Sequence, residues 1–120
     1  MDRKIYCFDI DGTICNNTWG KYEEAEPWMN RINYVNNLYD QGHYIIYMTA
    51  RGASKWDPSF GVPAGADTKV DFDKMFNFTD NQLKSWGCKY QELRLGKPNA
   101  DYYVDDRAVT DGHFFSKVCS

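Results

Sequence analysis

The 120-residue sequence predicts a single α/β domain, residues 1–120, built on a mostly parallel sheet. Two observations lead there. Apolar runs on consecutive positions alternate with stretches of helical period, in the order strand, helix, strand, helix, strand, strand. The runs also end abruptly in acidic or hydroxyl residues rather than in further apolar ones.

The first strand lies within Lys4 to Ile10, where Ile5-Tyr6-Cys7-Phe8 is apolar throughout, as expected of a strand covered on both faces. Asp11-Gly12-Thr13 is turn chemistry and places Asp9 and Asp11 at the strand's carboxyl end. Residues 15–26 are polar and irregular. A helix then runs from a first turn containing Pro27 to a stop at Gly42. Its apolar stripe is Trp28, Ile32, Val35 and Leu38, which is core packing. His43 to Met48, with the apolar run Tyr44-Ile45-Ile46-Tyr47-Met48, forms the second strand and leads into Thr49-Ala50-Arg51-Gly52.

Residues 52–72 carry no clear period. Thr79-Asp80-Asn81-Gln82 has the capping-box pattern and predicts the start of a short helix through Leu83 and Trp86, ended by Gly87. A third strand is expected over Glu92 to Leu95, a turn at Gly96-Lys97-Pro98, and a fourth strand over Asp101 to Val104 that ends in Asp105-Asp106.

Composition narrows the function classes. Hydrophobic residues make up 42% and charged residues 26%, which suits a globular protein. The net charge of -3 and the missing basic stretch argue against a nucleic-acid partner. No apolar run approaches the roughly 20 residues of a membrane span, and the start does not have the form of a secretory signal. Cys7, Cys15, Cys88 and Cys119 are dispersed, which implies reduced thiols and a cytoplasmic location.

In open α/β sheets, ligands bind beyond the carboxyl ends of the strands. Those ends here carry Asp9 and Asp11, then Thr49 and Arg51, then Asp105 and Asp106, with Lys97 on the turn before the last strand. Carboxylates gathered there call for a hard divalent cation. Mg²⁺ suits, because it needs only one or two carboxylates plus a substrate phosphate. A hydroxyl (Thr49) and an ammonium (Lys97) then suit the remaining phosphoryl oxygens.

Asp9-Ile10-Asp11-Gly12-Thr13-Ile14 resembles the first motif, D-x-D-G-T, of the haloacid dehalogenase-like phosphohydrolases. Thr49, Lys97 and Asp105-Asp106 resemble the second, third and fourth motifs, in order and over nearly the whole chain. The resemblance implies a Rossmann-like three-layer sandwich and a Mg²⁺-dependent phosphomonoester hydrolase. Asp9 would be the nucleophile that forms an aspartyl-phosphate, and Asp11 the general acid and base. Thr49 and Lys97 would bind the phosphoryl group. The metal would be held by the Asp9 carboxylate, the Asp11 backbone carbonyl and Asp106, with Asp105 acting through water or on Lys97. An acid at the position of Asp11 implies a phosphatase rather than a dehalogenase.

Each residue taken alone also has a plainer reading. Thr49 suits a helix cap and Lys97 an ordinary solvated lysine; Asp105-Asp106 suits the cap of a following helix. Arg51 reads equally as a substrate contact or a surface ion pair. Trp56 and Phe60 read as core packing or as a wall over the site that selects substrate, while Trp19 and Tyr22 are candidate gating residues. His43 and His113 have no paired ligand in the sequence.

The segments after the first and second motifs are too short for an inserted cap domain, so a capless member is expected. Its open site suits a large substrate or a homo-oligomer whose neighbour closes the pocket. Tyr22-Glu23-Glu24-Ala25-Glu26-Pro27 and Tyr103-Val104-Asp105-Asp106-Arg107-Ala108-Val109 resemble small phosphatases of capsule and surface-polysaccharide biosynthesis. This implies a sugar phosphate or similar small metabolite as substrate. The alternative is a nucleotide or polynucleotide 3′-end, since Asp105-Asp106-Arg107 also resembles the phosphatase half of polynucleotide kinase-phosphatases. A non-catalytic phosphate-binding module is a third reading.

Overall fold

A computed structural model describes residues 2–51, 68–98 and 100–116. Its elements run β1 (Ile5–Phe8), a 3-10 turn (Tyr22–Glu24), α1 (Met29–Asp40), β2 (Tyr44–Met48), α2 (Thr68–Ser85), β3 (Glu92–Arg94) and α3 (Asp111–Phe115). The strands form one sheet in the order β1-β2-β3, parallel throughout. This is a Rossmann-like α/β arrangement.

The register follows from which side chains can be buried. Tyr6 pairs with Ile45 and Phe8 with Tyr47, while Tyr47 pairs with Leu93, so these five residues share one face. Against that face stand Ile32, Val35 and Leu38 of α1, Leu83 of α2 and Phe115 of α3, all in one core with Phe8, Ile45 and Tyr47. The aromatics do much of the packing: Phe8 lies 5.4 Å from Phe114 and 6.1 Å from Phe115 between ring centroids. Helix α1 stops where Gly42, at φ +97, takes a left-handed conformation.

Four expectations are corrected. Helix α1 begins at Met29, and Trp28 is its half-exposed N-cap residue rather than part of the core stripe. Thr79-Asp80-Asn81-Gln82 does not open a helix; it lies inside α2, where Thr79, Asp80 and Gln82 have tertiary partners.

The other two concern the sheet. Residues 101–104 are not a strand: Tyr102 and Val104 are exposed, and among the described residues they pair with no strand. β-Propensity describes a fit to a pleated, half-buried surface, and here that surface is missing. The sheet is also not covered on both faces by the described residues. Its second face carries a shallow groove lined by Arg3, Ile5, Tyr44, Ile46, Glu92 and Arg94, with Ile5 71% exposed. Charged groups occupy this face: Arg3 sits over the Tyr44 ring, and the Tyr44 hydroxyl donates to Glu92 at 2.9 Å. No helix among the described residues is long and apolar enough to cross a membrane.

Candidate active site

The parallel register brings the carboxyl ends of β1, β2 and β3 side by side. Backbone bonds then extend the sheet edge into the site. The Thr49 N–H donates to the Arg94 carbonyl at 2.9 Å, and the Lys97 N–H donates to the Thr49 carbonyl at 3.0 Å. The turn after β3 is thereby pinned across the end of β2, and Lys97 is delivered beside Asp9. Its Nζ lies 3.6 Å from Asp9 Oδ2 and 4.2 Å from the Tyr103 ring centroid.

The turn after β1 is fixed from within. The Gly12 N–H donates to the Cys15 carbonyl at 2.8 Å, while Thr13 and Ile14 donate to the Ile10 carbonyl. Ile10 and Ile14 are fully buried and anchor the turn to the core. Gly12 sits at φ +79, which favours glycine, and an added Cβ would come within 2.9 Å of Asn17 Nδ2, so the Asn17 side chain would have to shift as well. The Asp9 Oδ1 accepts from the Ile10 N–H at 2.9 Å. Burial raises the Asp9 carboxyl above the ordinary carboxylate range; Lys97 and the Ile10 N–H oppose the shift without cancelling it.

Asp11 is held differently. Arg51 Nε donates to Asp11 Oδ2 and Arg51 Nη2 to Asp11 Oδ1, both at 2.9 Å, a bidentate pair. The Arg51 side chain is fully buried, and its guanidinium lies 4.5 Å from the Tyr22 ring centroid. Its Nη1 donates to Gln82 Oε1 at 2.7 Å and to Thr79 Oγ1 at 3.4 Å. Gln82 Nε2 in turn donates to the Tyr22 carbonyl at 2.7 Å, tying α2 to the 3-10 turn. Arg51 is therefore not a surface ion pair. A lone Arg in a sequence does not reveal a partner 40 positions away.

Asp9, Asp11, Thr49 and Arg51 open onto one cleft of about 630 Å³. Asn17, Trp19, Tyr22 and Tyr103 also line it. The structure thus brings together Asp9, Asp11, Thr49, Arg51 and Lys97, and places Trp19 and Tyr22 on the same cleft. Trp56 and Phe60 lie outside the described residues. Sequence reasoning missed Gln82, Thr79 and Tyr103; the aromatic before the Asp105-Asp106 doublet was the one available signal for the last. His43 is accounted for without a ligand: its Nδ1 accepts from the Lys4 N–H at 3.1 Å.

Asp105 and Asp106 are not brought to the cleft. Both are exposed, and Asp105 Oδ1 accepts from the Arg107 N–H at 2.9 Å, which holds its carboxyl below the usual range. Neither acid caps α3, a place taken by Thr110. Among the described residues no three His, Cys, Asp or Glu side chains gather as a metal site. Among the described residues the cleft offers the Asp9 carboxylate, already paired with Lys97, and lacks Asp106, so the ligand set expected for Mg²⁺ is not gathered as placed.

No family model matches the chain, and no curated protein matches it. Among solved structures, it is similar to the crystal structure of a structural-genomics target protein from Vibrio cholerae, whose name states no activity. The two are 27% identical with a TM-score of 0.72, over 94% of this chain and 88% of that one.

Proposed function

We propose that this protein is a phosphomonoester hydrolase of the capless haloacid dehalogenase-like type, acting on a sugar phosphate or similar small metabolite. The observation that carries the reading is the pairing of the Asp9 carboxylate with Lys97 at 3.6 Å, in a cleft that also holds Asp11 and Thr49. Four residues spread over 89 positions meet at the sheet's carboxyl end in the order the four-motif resemblance requires, save for its last member.

In the proposed reaction, an Asp9 oxygen attacks phosphorus, a new O–P bond forms, and the ester P–O bond breaks. Asp11 gives a proton to the departing alcohol. A water then cleaves the aspartyl-phosphate and returns its proton to Asp11, which closes the cycle. The phosphoryl oxygens need positive charge and donors. Lys97 supplies an ammonium. The Thr49 hydroxyl accepts from the Arg51 N–H at 3.1 Å and keeps its own proton to donate. Magnesium enters through the resemblance alone, and none of these steps is routed through it.

The cleft favours a neutral, hydroxylated leaving group. Trp19 offers a ring face and Asn17 an amide, Tyr22 and Tyr103 already carry Arg51 and Lys97 on one face, and those two cations face Asp11 and Asp9. The test is phosphate release from sugar phosphates, nucleotides and 3′-phosphorylated oligonucleotides, each in Mg²⁺ and in EDTA. Turnover concentrated on sugar phosphates, lost in Asp9→Asn while the variant keeps its melting temperature, is the expected result. Turnover confined to nucleotides or oligonucleotide ends would overturn the substrate class. Equal rates in Mg²⁺ and EDTA would remove the metal, and full activity in Asp9→Asn would remove the nucleophile.

A further inference from the structure

The turn that follows Asn17 holds a residue that local physics disfavours there. The Lys21 N–H donates to the Thr18 carbonyl at 3.2 Å and closes a turn whose two central residues, Trp19 and Gly20, sit at φ +56 and φ +99. Positive φ at both central positions belongs to a type I′ turn, which selects Asn or Gly at the first and Gly at the second. Gly20 conforms. Trp19 does not, and a bulky side chain in the left-handed region is strained. Core packing does not offset that strain, since Trp19 is 92% exposed.

The cleft shows what the indole is free to meet. Trp19 lines it together with Asp9 and Asn17. Of the other aromatics there, Tyr22 carries the Arg51 guanidinium at 4.5 Å and Tyr103 the Lys97 ammonium at 4.2 Å. Among the described residues nothing covers the Trp19 ring. An indole face takes apolar C–H groups, and the Asn17 amide on the same cleft takes hydroxyls. A pyranose ring presents both on one body.

We propose that Trp19 is a specificity-determining residue, a platform on which the ring of a pyranose phosphate lies while its phosphate reaches Asp9. The inference rests on the phosphatase reading above and narrows it from sugar phosphates at large to those in ring form. An open-chain polyol phosphate carries the same kind of ester without the C–H face of a ring, so it gains little from the indole.

That difference supplies the test. kcat/KM is measured for wild type, Trp19→Asn and Trp19→Phe on glycerol 3-phosphate, on adenosine 5′-monophosphate and on the pyranose phosphate that wild type turns over fastest. Asparagine suits the turn and removes the ring; phenylalanine keeps a ring. In Trp19→Asn the loss on the pyranose phosphate is expected to exceed the loss on glycerol 3-phosphate by at least about tenfold, equivalent to about 60 Å² of apolar surface kept from water. In Trp19→Phe the same difference should stay under about threefold. The melting temperature of Trp19→Asn should be no lower than that of wild type, because the turn loses its strained residue. A lower melting temperature would show that the ring packs on the protein, and would overturn the inference. So would equal losses on the three esters, a larger loss on adenosine 5′-monophosphate than on the pyranose phosphate, or wild-type turnover of glycerol 3-phosphate without turnover of any pyranose phosphate. Each of these leaves the phosphatase reading intact. Wild type without turnover on any ester would remove both.

Discussion

Gly12 turns the chain just after the two carboxylates of the cleft, and Gly12→Ala measures how tightly that turn is built. An alanine at φ +79 places its Cβ against the backbone at a cost of about 1–2 kcal/mol. The new Cβ would also lie 2.9 Å from Asn17 Nδ2 and 3.2 Å from Oδ1. Asn17 is exposed and can swing, at about 0.5–1.5 kcal/mol for leaving its rotamer. Against these stands a gain of about 0.4–1 kcal/mol, because alanine narrows the unfolded ensemble. The net is a destabilisation of about 1–2 kcal/mol. The terms separate in a double-mutant cycle with Asn17→Ala, which removes the amide and leaves the backbone strain. Urea unfolding of the four proteins should give a coupling of about 0.5–1.5 kcal/mol, with Gly12→Ala milder in the Asn17→Ala background. A coupling near zero would refute the contact, and a stabilising Gly12→Ala would refute the left-handed turn.

Leu83 is fully buried against the sheet, so Leu83→Ala should cost about 2–5 kcal/mol in urea unfolding; a loss under 1 kcal/mol would mean that α2 packs in another register. Asp80 accepts from Lys84 and Tyr90, which lower its carboxyl below the usual range. A lowered folded value gives stability that is present above the unfolded value of about 3.9 and is lost as pH falls through the folded one. Asp80→Asn should therefore destabilise at pH 7 and become neutral toward pH 2, and a gap independent of pH would contradict the pairing. Burial pushes the thiols of Cys15 and Cys88 up to about 12, and Cys7 is exposed. Since the thiolate is the reactive form, iodoacetamide at pH 8 should modify Cys7 in the native protein and reach Cys15 and Cys88 only in denaturant. Native labelling of Cys88 ahead of Cys7 would show that the core around Tyr47 is open.

Much of the fold was legible because burial imposes periods on the sequence. Ile32, Val35 and Leu38 recur at helical spacing, and all three are buried. The strand expected over His43 to Met48 is found at Tyr44–Met48, since turn and strand chemistry change sharply at both ends. The capping-box pattern at Thr79 failed for a physical reason. A run of small polar residues looks alike whether its donors and acceptors satisfy a helix end or side chains from elsewhere. Within α2 they do the second: Thr79 and Gln82 reach Arg51, and Asp80 reaches Lys84 and Tyr90. Local pattern carries no information about partners 28 or 31 positions away.

The site divides along the same line. Asp9, Thr49 and Lys97 were legible because strand ends are legible, and a parallel sheet collects its strand ends at one edge. Asp105 and Asp106 were expected at the end of a fourth strand, and among the described residues no ladder forms over 101–104 to carry them to that edge. The consequence is electrostatic. Among the described residues, the cations beside the two carboxylates are the Lys97 ammonium and a guanidinium already committed to Asp11. Burial holds the Asp9 carboxyl above its ordinary range despite Lys97. Lys97→Met removes that ammonium, and if the cleft is the site, its effect should exceed a surface lysine's by far: a loss of at least about a hundredfold in kcat/KM, the scale of one removed oxyanion partner. A variant within threefold of wild type would mean that the phosphoryl group binds elsewhere, and Asp9 would lose its role as nucleophile along with it.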